Sequence, residues 1–174
     1  MTTPYDRLPP VPAFPVTSED LVPGGQLPTA QWSDVFGAGG QDRSPHLAWS
    51  GFPAGTESFV VTCFDPDAPT VSGFWHWAVV DLPVSVTCLP GGAGDEDAAA
   101  IPAPAFQLRN DAGRHGFLGA APPPGHGRHR YLFVVHAVGA PSLGLGPDAT
   151  NALLGFHLSE TTVARATLTC WHER

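Results

Sequence analysis

The sequence predicts a mainly β fold: a sandwich of two antiparallel sheets with Greek-key connections and short helices at the periphery and near the C-terminus. Three observations predict it. The runs 58–65 (SFVVTCFD), 75–82 (WHWAVVDL) and 130–138 (RYLFVVHAV) are rich in β-branched and aromatic residues and bounded by Gly, Pro or Asp. Twenty glycines and 20 prolines punctuate a chain of 174 residues without forming repeats, as turns between short strands do. Helix-start signals appear only late, at Asp148 and Ser159.

The elements follow in order. Residues 1–13 carry four prolines and read as an extended N-terminal arm. Residues 14–174 show no linker or break in composition and read as a single domain. HLAWS at 46–50 and LTCWH at 168–172 are weaker strand candidates, flanking the three strong ones. The near-continuous apolar runs suit central strands covered on both faces. Pro90 to Pro104, rich in Gly, Ala and Asp, reads as an exposed loop. Asp148 is expected to cap a helix through Phe156, and Ser159 a second one through about Ala166.

Charge and cysteine usage narrow the function. The net charge is −8, and all eight basic residues are arginine. An acidic chain without basic runs argues against nucleic acid or an anionic membrane as partner. Cys63, Cys88 and Cys170 are odd in number, widely spaced and outside any zinc-type pattern, and read as small core hydrophobes. No signal peptide and no apolar run of membrane-spanning length is visible, so a cytoplasmic protein is expected.

Two segments can carry chemistry. The first is DPDAPTVSGFWHW, residues 65–77. Pro66 cannot donate to a ladder, so the strand ends near Asp65, and the stretch alone reads as a stiff turn with carboxylates capping amides. The second is GRHGFLGAAPPPGHGRHRY, residues 113–131, with three histidines and three arginines running into the strongest strand. Loops stiffened by proline at strand ends are where sites are built. Three chemistries are open. A metal site would use His126, His129, His76 and Asp65. A hydrolytic triad would need a nucleophile, but no GxSxG occurs and Ser72 has no signature around it. An anion pocket needs only donors, and His76, His129, Tyr131 and Arg130 supply them. Strand alternation puts His129 and Tyr131 on one face and Arg130 on the other, which suits Arg130 to an ion pair with Asp67.

Both segments resemble the phosphatidylethanolamine-binding protein family, and within it the bacterial Raf-kinase-inhibitor-like branch. DPDAP followed by WHW and then by PPPGHGRHRYLF carries the resemblance, with Ser44-Pro45-His46-Leu47-Ala48-Trp49 in support. Phe14 to Ser18 resembles the branch's first strand, and the stretch around His157 and Leu168 its closing helix and strand. The resemblance implies a β-sandwich with a small surface pocket for phosphate-like or carboxylate-like anions. It implies Asp65, Pro69, Phe74, His76, Ala121, Pro122, Pro123, His129 and Tyr131 as ligand-binding residues and Asp67 with Arg130 as a structural pair. It names no catalytic residue, cofactor or metal. Ala121 and Phe74 depart from the usual family residues, and the loop 124–128 is longer and more basic. A cis Ala68-Pro69 bond is expected in the turn. Asp65 is expected to hold His76 or His129 in its charged form for the ligand. The implied function is a regulatory or inhibitory anion-binding module acting on a protein such as a kinase or protease, with a homodimer left open. The competing function is a weak hydrolase or acid–base enzyme using Asp65 with His76 or His129.

Overall fold

A computed structural model describes residues 2–174. It holds eight strands: β1 (Val16–Thr17), β2 (Leu47–Trp49), β3 (Ser58–Asp65), β4 (Phe74–Pro83), β5 (Cys88–Leu89), β6 (Phe106–Gln107), β7 (His129–Val138) and β8 (Thr162–His172). One α-helix, α1 (Asn151–Thr161), precedes β8. The strands form two open antiparallel sheets, a small one ordered β1-β2-β5 and a large one ordered β6-β4-β3-β7-β8. The mainly β two-sheet class expected from the sequence is the observed one.

Alternation along the strands builds the core. Phe59, Val61 and Cys63 of β3 and Tyr131, Phe133, Val135 and Ala137 of β7 face the small sheet, where they meet Leu47, Trp49 and Leu89. The odd-numbered residues of β7 therefore point inwards and the even-numbered ones outwards. The outer face is covered as well, which explains why the central strands read as unbroken apolar runs. Leu154 and Leu158 of α1 pack on Val60, Ala78, Val80 and Val138. Tyr5 and Trp75 pack on Phe64, Leu132 and Val134. Tyr5 belongs to a 3-10 turn, Pro4–Arg7, so the N-terminal residues expected as an extended arm include a docked turn.

Two β-bulges in β4 break simple alternation. At the first, Phe64 pairs with Trp75 but Cys63 with Trp77, leaving His76 as the extra residue. Trp75 then packs outwards and Trp77 inwards, and His76 is re-aimed at the strand end, as bulges beside sites do. At the second, Asp81 adopts a φ of 58°. Aspartate tolerates that region, and its carboxylate accepts from Ser142 Oγ and the Leu143 amide at 2.5 and 2.9 Å.

The expected second helix is absent: Thr162–His172 is a strand, in register with β7 from His172 opposite His129 to Thr162 opposite Val138. Local capping by Ser159 loses to the ladder, which uses the β-branched residues Thr162, Val163, Thr167 and Thr169. The first helix exists but starts later than expected. Thr150, not Asp148, is its N-cap, accepting from the Leu153 amide at 3.1 Å. The one cis peptide bond among the described residues is Ala103-Pro104, so the expected cis Ala68-Pro69 is not observed. Cys63 and Cys170 are buried as expected, whereas Cys88 is exposed beside His46. Among the described residues no helix is long and apolar enough to cross a membrane.

Phe133 is 1 % exposed between the sheets. Phe133→Ala is expected to lower unfolding free energy by about 3–5 kcal/mol, measured by urea denaturation.

Candidate functional site

The turn after β3 is built by its own side chains. The Asp67 amide donates to Asp65 Oδ1 at 2.7 Å, an Asx-type turn, and the Thr70 amide to the Ala68 carbonyl. Thr70 Oγ1 donates to the Gly73 carbonyl. Gly73 has φ 72°, and a Cβ there would lie 2.4 Å from the Phe64 ring, so only glycine closes this turn. The turn returns the chain to Phe74, opposite Asp65.

Asp65 and His129 sit at the ends of adjacent central strands, both pointing inwards. His129 Nδ1 donates to Asp65 Oδ2 at 2.7 Å, with both side chains almost wholly buried. The other ring nitrogen, Nε2, lies 2.7 Å from His126 Nδ1. Neither nitrogen of His129 is therefore free. The chain Asp65–His129–His126 leads from a buried carboxylate to an exposed imidazole. His129 is either neutral, accepting from His126, or an imidazolium donating to it.

The imidazole that Asp65 holds is thus His129 and not His76. His76 Nδ1 donates to the Leu118 carbonyl at 2.7 Å, which fixes the tautomer and leaves the lone pair on Nε2. Burial pushes the His76 pKa down, partly offset by the Leu118 hydrogen bond and by Asp65, so the ring is neutral at pH 7. Tyr131 stands edge-on to it, with ring centroids 5.1 Å apart. Burial first, and then Asp65, push the Tyr131 hydroxyl up, so it remains a donor at every ordinary pH.

These groups share one cavity of about 220 Å³. All nine residues expected to bind a ligand line it: Asp65, Pro69, Phe74, His76, Ala121, Pro122, Pro123, His129 and Tyr131. Phe36, Ala68, Thr70, Leu118 and Gly119 complete the wall and were not expected. Phe36 is an exposed aromatic in a glycine-rich loop, and no local pattern joins it to a cavity some 30 residues or more away in sequence. Gly119 is required by contact, since a Cβ would meet the Trp32 backbone at 2.3 Å. Among the described residues no cluster of three or more His, Cys, Asp or Glu could hold a metal ion.

The cavity wall contains no arginine. Arg130, on the opposite face of β7, is committed elsewhere: its backbone N–H, Nε and Nη2 all donate to the Asp67 carboxylate, at 2.7–2.9 Å. This clamp joins the turn after β3 to the start of β7 and so fixes how the two loops meet.

These motifs and this geometry come together over most of the chain. Residues 17–172 match the family described as phosphatidylethanolamine-binding protein. The chain belongs to the phosphatidylethanolamine-binding protein family. It is 45 % identical over 161 residues to the UPF0098 protein YbcL of Escherichia coli, covering 92 % of this chain and 88 % of that one. It is 46 % identical over 152 residues to the UPF0098 protein YbhB of the same organism, covering 87 % and 95 %. The crystal structure of E. coli YbcL, described as a new member of the mammalian family, superposes with a TM-score of 0.90 over 92 % of this chain and 98 % of that one. A homolog from Chlamydia trachomatis, CT736, gives 0.76 at 28 % identity over 93 % and 98 %. The resemblance read from DPDAP, WHW and HRY is thus the family the whole chain supports.

The Asp67–Arg130 clamp generates a pH dependence. Hydrogen bonds from Arg130 hold the Asp67 carboxyl below its usual value, so its contribution is present above the unfolded pKa of about 3.9 and is lost as pH falls through the lower folded value. Asp67→Asn is expected to be less stable than wild type by roughly 2 kcal/mol at pH 7. That gap is expected to close between pH 4 and 2, as read from urea melts across the range.

Proposed function

We propose that this protein is a small-anion-binding module of the phosphatidylethanolamine-binding protein family, in which one acidic oxygen of the ligand sits between His76 Nε2 and the Tyr131 hydroxyl. The observation that carries this reading is the fixed His76 tautomer. With Nδ1–H committed to the Leu118 carbonyl, a second proton can go only to Nε2 of this cavity-lining ring. A bound anion stabilises that proton, and the imidazolium in turn stabilises the anion. Tyr131 adds a donor that does not titrate in the working range. Asp65 opposes an anion, and its pairing with His129 is what makes its charge tolerable there.

The lining favours a monoanion with some apolar bulk. Proline, phenylalanine, leucine and alanine side chains dominate the wall, and no guanidinium faces it. A carboxylate, or a phosphate ester in its singly charged form, fits this better than a dianion. As a regulatory module, the protein would present a ligand-dependent surface at this site to a partner protein such as a kinase or protease. Phe36 and Pro123, exposed at the cavity rim, belong to that surface.

The acid–base enzyme reading has one supporting feature, the carboxylate–imidazole pair Asp65–His129. In a hydrolytic triad a nucleophile would occupy the far side of the imidazole. Here His126 occupies it, so the binding reading is preferred.

Benzoate keeps its charge between pH 5.5 and 8, so calorimetric titration with it isolates the protein's proton. Affinity is expected to be at least ten-fold higher at pH 5.5 than at pH 8, because the depressed His76 pKa means that protonation accompanies binding. Equal affinity at the two pH values would sink the proton-linked reading. His76→Ala and Tyr131→Phe are each expected to weaken benzoate at pH 5.5 by about ten-fold, or 1.4 kcal/mol, with Tyr131→Phe leaving the fold unchanged by circular dichroism.

A further inference from the structure

A second cavity, also of about 220 Å³, lies on the outer face of the large sheet beneath the N-terminal turn. Its walls include Tyr5 from that turn, Phe64 and Trp75 from β3 and β4, His136 from β7, and Gly155 and Leu158 from α1. It shares no residue with the first cavity. We infer that it is a binding site for a small neutral aromatic molecule carrying one or two hydrogen-bonding groups.

Three independent features support this. The first is the helix. Asn151, Leu154 and Leu158 are the buried positions of α1, and residue 155 lies on the same face, four residues after Asn151 and three before Leu158. That inward position is glycine, the least favourable helix residue after proline. A Cβ built on it meets no atom within 4 Å. The helix thus leaves open space where a side chain would ordinarily fill the layer.

The second feature is unpaired polarity. His136 is 1 % exposed, and its Nε2 has no partner. Arg165 Nε is buried and unpaired in the same way, and the buried Tyr5 hydroxyl has only Thr62 Oγ1 beside it. Tyr5 stands 5.7 Å from the His136 ring and 4.8 Å from the Arg165 guanidinium, ring centre to group. Buried polar atoms are normally satisfied, and two of these, His136 Nε2 and the Tyr5 hydroxyl, belong to residues that line the cavity. The turn that carries Tyr5 has no buried residue, so it is the wall that can shift to let a ligand reach them.

The third feature is the chemistry of the lining. Phe64 and Trp75 are in contact, with centroids 4.6 Å apart, and with Tyr5 they offer three aromatic faces. No Asp, Glu or Arg lines the cavity. Burial, and then Arg165, push the His136 pKa down to about 3, so its ring is neutral at pH 7. A charged ligand would lose its hydration without a counter-charge on the wall. The volume sets the size: drug-sized ligands take cavities of about 300 Å³ and more, so one or two rings fit here.

The test is a two-dimensional amide NMR titration of the full chain with indole at pH 7. Saturable shifts are expected at Tyr5, Trp75, His136, Gly155 and Leu158, with those of Asp65, His76 and Tyr131 unmoved. Gly155→Leu, which fills the space, is expected to weaken indole at least ten-fold while leaving benzoate binding at the first cavity unchanged. Gly155→Ala is expected to raise the melting temperature and weaken indole at least two-fold, which decides the matter should the leucine variant fail to fold. No saturable shift up to millimolar indole, shifts confined to the first cavity, or wild-type affinity in Gly155→Ala would each overturn the inference.

Discussion

The site depends on the hydrogen bond between Asp65 and His129, made across the ends of two neighbouring central strands. Each side chain is buried on the inner face, where an isolated charge would be costly. They are tolerable because they meet each other, and they meet because β3 and β7 are in antiparallel register up to Phe64 opposite Leu132. A slip of one residue would turn His129 and Tyr131 outwards and Arg130 inwards. The inter-sheet core, from Phe59 to Tyr131, prevents that slip, since the same shift would take Phe133, Val135 and Ala137 out of the core they fill and turn His136 into it. Packing energy and site geometry are therefore set by one register.

Around that bond the remaining parts divide the work. The Asp67–Arg130 clamp removes the nearest guanidinium from the cavity and uses it to lock two loops together. The bulge at His76 lets that ring and Trp77 occupy the same side of β4, one at the cavity and one in the core. The Leu118 carbonyl then chooses the tautomer. As a result the cavity's affinity for charge rests on one titrating imidazole and one fixed hydroxyl. His126 sets a further condition: because it holds His129 Nε2, the histidine most firmly bound to Asp65 lines the cavity without offering it a nitrogen. The loop 124–128, which carries His126 and Arg128, supplies that contact from the solvent side.

The large sheet also carries a second, quite different environment on its other face. There the covering elements are short and loosely matched: a 3-10 turn without a buried residue and a helix with glycine at an inward position. The inner face is filled by interlocking side chains, whereas the outer one keeps an aromatic void with unpaired polar atoms at its base. The two cavities differ in chemistry because strand alternation distributes the residues of β7 between them, His129 and Tyr131 to one and His136 to the other.

Strand runs bounded by Gly and Pro determined the class of fold, because a two-residue repeat and β-branched composition are local properties. The residues that the family resemblance named all line one cavity, and alternation from HRY put His129 and Tyr131 on one face and Arg130 on the other. The sequence misread 162–166 as helix, because only pairing with β7 makes that segment a strand, and such pairing is not written in the segment. The bulge at His76, the Leu118 carbonyl, the approach of Phe36 and the bond from His126 were decided by the tertiary structure alone. Each joins residues through space rather than along the chain, and no periodicity records which carbonyl a ring nitrogen will find. Local sequence determines what a residue can do; the assembled sheets decide which partner it does it with.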